Sequence, residues 1–166
     1  MKKYLLLLLI PIMLFISCSK ADKKTVELDS FFNTKVLITT ASDEYEVILS
    51  SKGGGVWQIQ YVSPERISGV LHTLTPENYS VSYEFMSQEI SLDRYNKSDI
   101  SYVTRALDMC FTKAEFKKQS DKTYKCKGII NECEYDIVVD SDSTPLYIDI
   151  PSAQIRADFS DFEIVK

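Results

Sequence analysis

Histidine is almost missing from this chain: His72 is the only one in 166 residues, so no site that needs two imidazoles can be built from it. Glycine and proline are also scarce, five of each, while there are ten Tyr, eight Phe and one Trp. That balance excludes a disordered tract and suits a folded, β-rich chain. Past residue 16 no segment approaches eighteen apolar residues, which leaves no second membrane span. Catalytic signatures are missing as well. No Ser sits in a Gly-x-Ser-x-Gly elbow, and no Gly-rich loop follows a strand and opens a helix. The glycines at 53–55 lie between two strand patterns, so they form a turn and not a phosphate cradle. Asp140 and Asp142 lack the central Gly and distal Glu of a calcium loop and end a strand instead. No metal site and no cofactor is expected. His72, in register with Val70 and Leu74, reads as an edge or core residue rather than a base.

What is present begins at the N-terminus. Lys2 and Lys3 precede an almost wholly apolar stretch over residues 4–16. As a helix it would be roughly 20 Å long, against a hydrocarbon core of about 30 Å, so it reads as a leader's apolar region and not as a span. Ser17 and Cys18 follow, and polarity begins at once. This junction resembles the bacterial lipobox, in which the Cys receives a diacylglyceryl group and becomes the new N-terminus. Phe15 and Ile16 fit that pattern more loosely. An ordinary secreted protein, or an uncleaved signal anchor, is the alternative. The expected organisation is a leader at 1–17, a lipidated Cys18 with a polar tether at 18–26, and one β domain at 27–166. Two acyl chains suffice for stable attachment to a cell membrane, outside the cytoplasm. Loss of the leader would leave 17 basic residues against 24 acidic, a formal charge of −7. Such a chain is a poor prospect for nucleic acid, and it would hang from its lipid rather than adhere to anionic lipid by its own face.

From residue 34 onward the pattern has period two: 34–41, 44–51, 56–63, 66–74 and 79–86 read as strands, and after an interruption so do 122–130, 133–140, 145–150 and 154–165. The interruption, 98–116, has apolar Ile100, Val103, Leu107, Cys110 and Phe111 at three- and four-residue steps, with Ser98 as an N-cap candidate. "ELDSFF" near residue 30 could add a short second helix. The fold class is therefore α+β, mainly β: a curved antiparallel sheet or unclosed half-barrel with one main capping helix. Eight or nine strands make a sheet roughly 35–40 Å wide, and a fifteen-residue helix of about 22 Å cannot cover it alone. Either the sheet curls to bury its own side chains, or an apolar concavity awaits a lipid, another apolar ligand or a protein. Trp57, Ile59, Tyr61, Tyr79, Val81, Tyr83 and Phe85 would form the apolar wall, and Ile100, Val103 and Leu107 the lid. With Cys18 lipidated, three Cys remain. Cys126 and Cys133 lie on successive strands where a cross-hairpin disulfide can be drawn, and Cys110 could instead reach either one.

The segments "VWQIQYVSPERISG", "YSVSY" and "PLYIDIPSAQIRADFSDFEIV", with the helix between them, resemble the LolA-like lipoproteins. The resemblance implies an unclosed antiparallel barrel capped by helices around an apolar cavity. Among these proteins the chain is most similar to small lipoproteins of spore-forming bacteria, including the GerS-type germination group. There the fold is implied to serve as a binding partner for a cortex-modifying amidase. The carriers have several helices gating their cavity and this chain has one, which favours binding over shuttling. The expected role is a membrane-tethered, non-enzymatic binding module that holds an apolar ligand or lipid; the alternative is a partner or regulator of an envelope or spore-cortex enzyme.

Overall fold

The computed structural model describes residues 23–25, 31–111, 114–119 and 122–165. The leader, Cys18 and residues 26–30 lie outside them. Among the described residues twelve strands form one sheet: β1 Lys23–Thr25, β2 Phe31–Thr39, β3 Glu44–Lys52, β4 Trp57–Ser63, β5 Leu71–Leu74, β6 Tyr79–Tyr83, β7 Met86–Ile90, β8 Glu115–Lys118, β9 Tyr124–Ile130, β10 Cys133–Val139, β11 Pro145–Ile150 and β12 Ile155–Ile164. Their order across the sheet is β1-β8-β9-β10-β11-β12-β2-β3-β4-β5-β6-β7, and every neighbouring pair is antiparallel. The two ends do not meet. The sheet is a curved, unclosed half-barrel with β1 at one edge and β7 at the other.

Alternation explains the layers. Phe32, Thr34, Val36 and Ile38 of β2 are buried on one face, as are Tyr45, Val47, Leu49 and Ser51 of β3. Side chains of a pleated strand point to opposite faces in turn, so a single buried face follows. The curl is helped by register shifts in β3 at Glu46/Val47 and in β12 between Ser160 and Glu163, where Asp161 takes a φ of 49°. Gly53, Gly54 and Gly55, all with positive φ, make the turn from β3 into β4.

Two helices interrupt the strands: the single turn α1, Leu92–Tyr95, and α2, Asp99–Phe111. The helical period predicts α2 correctly but runs too far, because Glu115–Lys118 is strand β8. Ser98 does not cap in the usual way; its hydroxyl donates back to the Tyr95 carbonyl at 2.6 Å. Near residue 30, Phe31 and Phe32 belong to β2 and not to a helix. The expected tether also differs: Lys23–Thr25, inside the stretch read as linker, pairs with β8. No helix among the described residues is long and apolar enough to cross a membrane.

Candidate functional site

The apolar side of α2 lies on the concave face of the sheet. Ile100, Val103 and Leu107, the expected lid, are at most 1% exposed, and Trp57 and Ile59 of the expected wall are fully buried in the same core. Ala106 and Cys110 complete the helix face at three- and four-residue steps. Polar side chains also hold the helix in place. Trp57 Nε1 donates to Asp108 Oδ1 at 3.2 Å. Arg105 donates to Asn96 Oδ1 at 2.6 Å and to Asn131 Oδ1 at 2.7 Å, which ties α2 to the α1–α2 connection and to the β9–β10 turn. Burial pushes the Asp108 carboxyl up to about 6, against the opposing pull of the Trp57 N–H and the Arg105 charge.

The rest of the wall divides. Tyr79 is buried, and Tyr61 and Val81 are half-buried against the core. Tyr83 is 42% exposed and Phe85 is fully exposed. Phe85 is a correction: simple alternation puts it on the wall with Tyr83, but the strand has ended. Glu84 takes a φ of 51°, the chain turns through Glu84 and Phe85 into β7, and the Phe85 ring stands at the tip of that hairpin. Met86, beside it, is 69% exposed.

Beneath the α1–α2 corner the sheet carries a ladder of rings. Tyr45 on β3 lies 5.5 Å from Tyr61 on β4, Tyr61 lies 4.9 Å from His72 on β5, and His72 lies 5.6 Å from Tyr79 on β6. Tyr79 then meets Tyr95 of α1 at 5.0 Å. His72 Nδ1 and the Tyr79 hydroxyl are hydrogen-bonded at 2.9 Å. Burial lowers His72 to about 4 and raises Tyr61 to about 12; Tyr45 and Tyr95 are also raised by burial. These groups keep their neutral forms at neutral pH, and the ladder packs the half-barrel. Its open end is a shallow depression of about 310 Å³ bordered by Tyr45, Tyr61, Ile67 and Ile100 and by the Asp43–Arg66 ion pair of 3.0 Å. Sequence reasoning found Tyr61 and Tyr79 but missed Tyr45, Tyr95 and Asp108. Asp108 meets Trp57 across 51 residues of chain, and no local pattern announces that contact.

The Cys126–Cys133 disulfide that can be drawn from the sequence is not formed; both are free, as is Cys110. The register gives the reason. Cys126 is opposite Ile137 and Cys133 is opposite Ile130, so the two sulfurs sit four rungs apart along the hairpin. At about 3.4 Å per rung that exceeds any disulfide reach. Among the described residues no group of three or more His, Cys, Asp or Glu is placed to hold a metal ion.

No protein-family model matches the sequence, and no curated protein is significantly similar to it. Similar solved structures do exist. An uncharacterised conserved protein from Thermus thermophilus superposes at a TM-score of 0.50 with 7% identity, over 94% of this chain and 86% of that one. A LolA superfamily protein from Nitrosomonas europaea follows at 0.43, with 12% identity over 85% and 89%. A DUF1329 family protein from Desulfovibrio piger gives 0.42, with 11% identity over 92% and 89%. At such identities the likeness is one of fold alone. The architecture itself is a curved antiparallel sheet that stays open, with a helix across its concave face.

Proposed function

We propose that this chain is a membrane-tethered, non-enzymatic binding module, anchored by lipid on Cys18 outside the cytoplasm, whose ligand is a protein of the same envelope. One observation carries the choice of a protein over a lipid: α2 already fills the concave face. Trp57, Ile59, Val103 and Leu107 have no solvent exposure, so an apolar ligand would have to displace the helix and break the Trp57–Asp108 hydrogen bond. The depressions along the described surface are open, and the one beside the ladder has an ion pair at its rim.

Recognition then falls to the outside of the half-barrel. Among the described residues β7 is an edge strand paired only with β6, and its outer backbone edge can accept a further strand. Phe85, Met86 and Tyr83 cluster at the hairpin that ends it, as aromatic anchors do at interfaces. The resemblance to GerS-type lipoproteins supports a cell-wall or spore-cortex amidase as the partner class.

Native mass spectrometry of the protein purified without detergent tests the choice. A bare mass that takes up no fluorescent fatty acid is the expected result. A co-purifying species of roughly several hundred daltons, lost on denaturation, would overturn it and restore the apolar ligand. A photoreactive residue in place of Phe85 should give one discrete adduct in the producing cells, and the same residue in place of Glu65 should give none.

A further inference from the structure

Charge is distributed unevenly over this chain. The formal total is −5, yet β1, β8 and β9 together hold Lys23, Lys24, Lys117, Lys118, Lys125 and Lys127 against a single acid, Glu115. The stretch 113–127 is basic already in the sequence, and pairing with β1, from about 90 positions earlier, adds Lys23 and Lys24 to it. Register concentrates the effect. Lys23 is directly opposite Lys117, and Lys117 is directly opposite Lys125, so three ammonium groups stand abreast on one face. Like charges in that arrangement oppose pairing. Phe116, next to Lys117, is fully buried on the other side, so the row faces outward.

Local acids offset only part of this charge. Lys23 pairs with Glu115 at 2.7 Å between two exposed side chains, and Asp136 of β10 is shared by Lys125 and Lys127. Beyond them, Glu134 lies opposite Ile129 and starts the acidic side of the sheet. Between these charges is a shallow depression of about 350 Å³ bordered by Lys117, Lys118, Lys125 and Lys127, with Gln119 and the Lys23-paired Glu115 also at its rim. Ile129, two residues beyond Lys127 on the same face, is 69% exposed. Ammonium groups around a shallow cleft, with an apolar side chain at the rim, match a lipid phosphate and the boundary of its acyl chains.

The position of the patch selects the occupant. Only five residue steps separate Cys18 from Lys23, and five residues fully extended reach about 18 Å at most. Resting on the reading of Cys18 as the lipid anchor, the β1 edge cannot leave the neighbourhood of the bilayer, while β7 and Phe85 lie at the opposite edge of the sheet. We propose that the outward face of β1, β8 and β9 is a docking surface for anionic phospholipid headgroups, which lays this end of the half-barrel on the membrane and points the β7 hairpin away from it. The expectation from net charge, a protein that hangs by its lipid alone, is replaced by a protein with a basic foot.

The test uses the full lipidated protein on vesicles of phosphatidylcholine alone, or with about 30% phosphatidylglycerol, followed by amine acylation and peptide mass mapping. Lys117, Lys125 and Lys127 should react about threefold or more slowly on the anionic vesicles, and about 0.5 M NaCl should remove the difference. Lys52 and Lys97, exposed elsewhere, are the controls and should not change. A Lys117→Glu/Lys125→Glu variant, which also relieves the row of like charges, should erase the protection at Lys127. Equal labelling on both vesicles, with the protein bound to both, would overturn the docking face and leave the anchor standing. Release from phosphatidylcholine vesicles with salt-sensitive retention on anionic ones would overturn the anchor and support the face. Equal protection of the same lysines by soluble polyphosphate would overturn the bilayer as occupant.

Discussion

Replacing Asp108 with Asn should make the protein more stable at neutral pH, and the gain should disappear in acid. The carboxylate lies between α2 and the sheet, where it accepts the Trp57 indole N–H. Burial lifts it from 3.8 to about 6. Because the folded-state value lies above the unfolded one, the folded protein holds this proton more tightly. The resulting stabilisation is complete below about 3.8 and is lost as pH rises through about 6, leaving a buried charge at neutral pH. Two units would correspond to about 3 kcal/mol, and partial contact with water reduces the expectation to about 1–2 kcal/mol. Asn keeps an oxygen to accept from Trp57 and cannot ionise. Trp57 is the only Trp, so its fluorescence during urea unfolding reports on this contact directly. With a urea dependence of about 2 kcal/mol/M, the midpoint should rise by about 0.5–1 M near pH 7.5 and converge on the parent value near pH 4. His72 has the opposite sign: burial lowers it from 6.5 to about 4, so its contribution is present above 6.5 and is lost as pH falls toward 4. That term is common to both proteins and cancels in the difference. A variant less stable at pH 7.5, or a difference of the same size at both pH values, would refute the reasoning.

His72 gives a single imidazole resonance by NMR, and it should titrate near 4; a midpoint between 6 and 7 would show that the ladder does not bury it. Leu107→Ala should cost about 2–5 kcal/mol by urea unfolding, since the side chain is fully buried in the helix–sheet core. Gly128→Ala should cost about 1–3 kcal/mol, because a Cβ there would lie 2.4 Å from the ring of Tyr135, itself buried and directly opposite; truncating Tyr135 to Leu in the same chain should recover part of the loss. Phe85→Ser should leave stability within about 0.5 kcal/mol, since the ring touches solvent, and should abolish adduct formation by a photoreactive residue placed at Met86.

The parts of this fold that could be read from the sequence are those encoded locally. The two-residue period of β2, β3 and β4 matches their buried faces, and the three- and four-residue steps of Ile100, Val103, Leu107 and Cys110 mark the buried side of α2. The errors occur where a local pattern ends without a strong signal. Alternation carries on through Phe85, yet the chain turns at Glu84, a residue type that seldom takes positive φ and gives no warning. Strand β8 is four residues long and follows a helix, so "KAEF" reads as more helix until its pairing with β1 and β9 is known. The possible Cys126–Cys133 disulfide is excluded by register, which depends on where the β9–β10 hairpin turns: Asn131 and Glu132, both at positive φ, place the turn so that Cys133 pairs with Ile130 and not with Cys126.

Net charge is a coarse guide for a related reason. A total of −5 describes a chain, while a membrane meets a face, and topology decides which residues share one. Sequence order puts Lys23 at the start, Lys117 past the helix and Lys125 past another turn, while acidic residues are spread over the helices, the turns and most of the other strands. Sheet order gathers the lysines at the β1 edge, the first described strand of the chain. The same order puts the exposed hairpin at the far edge. On the proposed anchor and docking face, a short tether and a one-sided charge would do together what neither does alone: the lipid would fix the distance of the protein from the bilayer, the lysines would fix its orientation, and the β7 edge would be held where a partner can reach it.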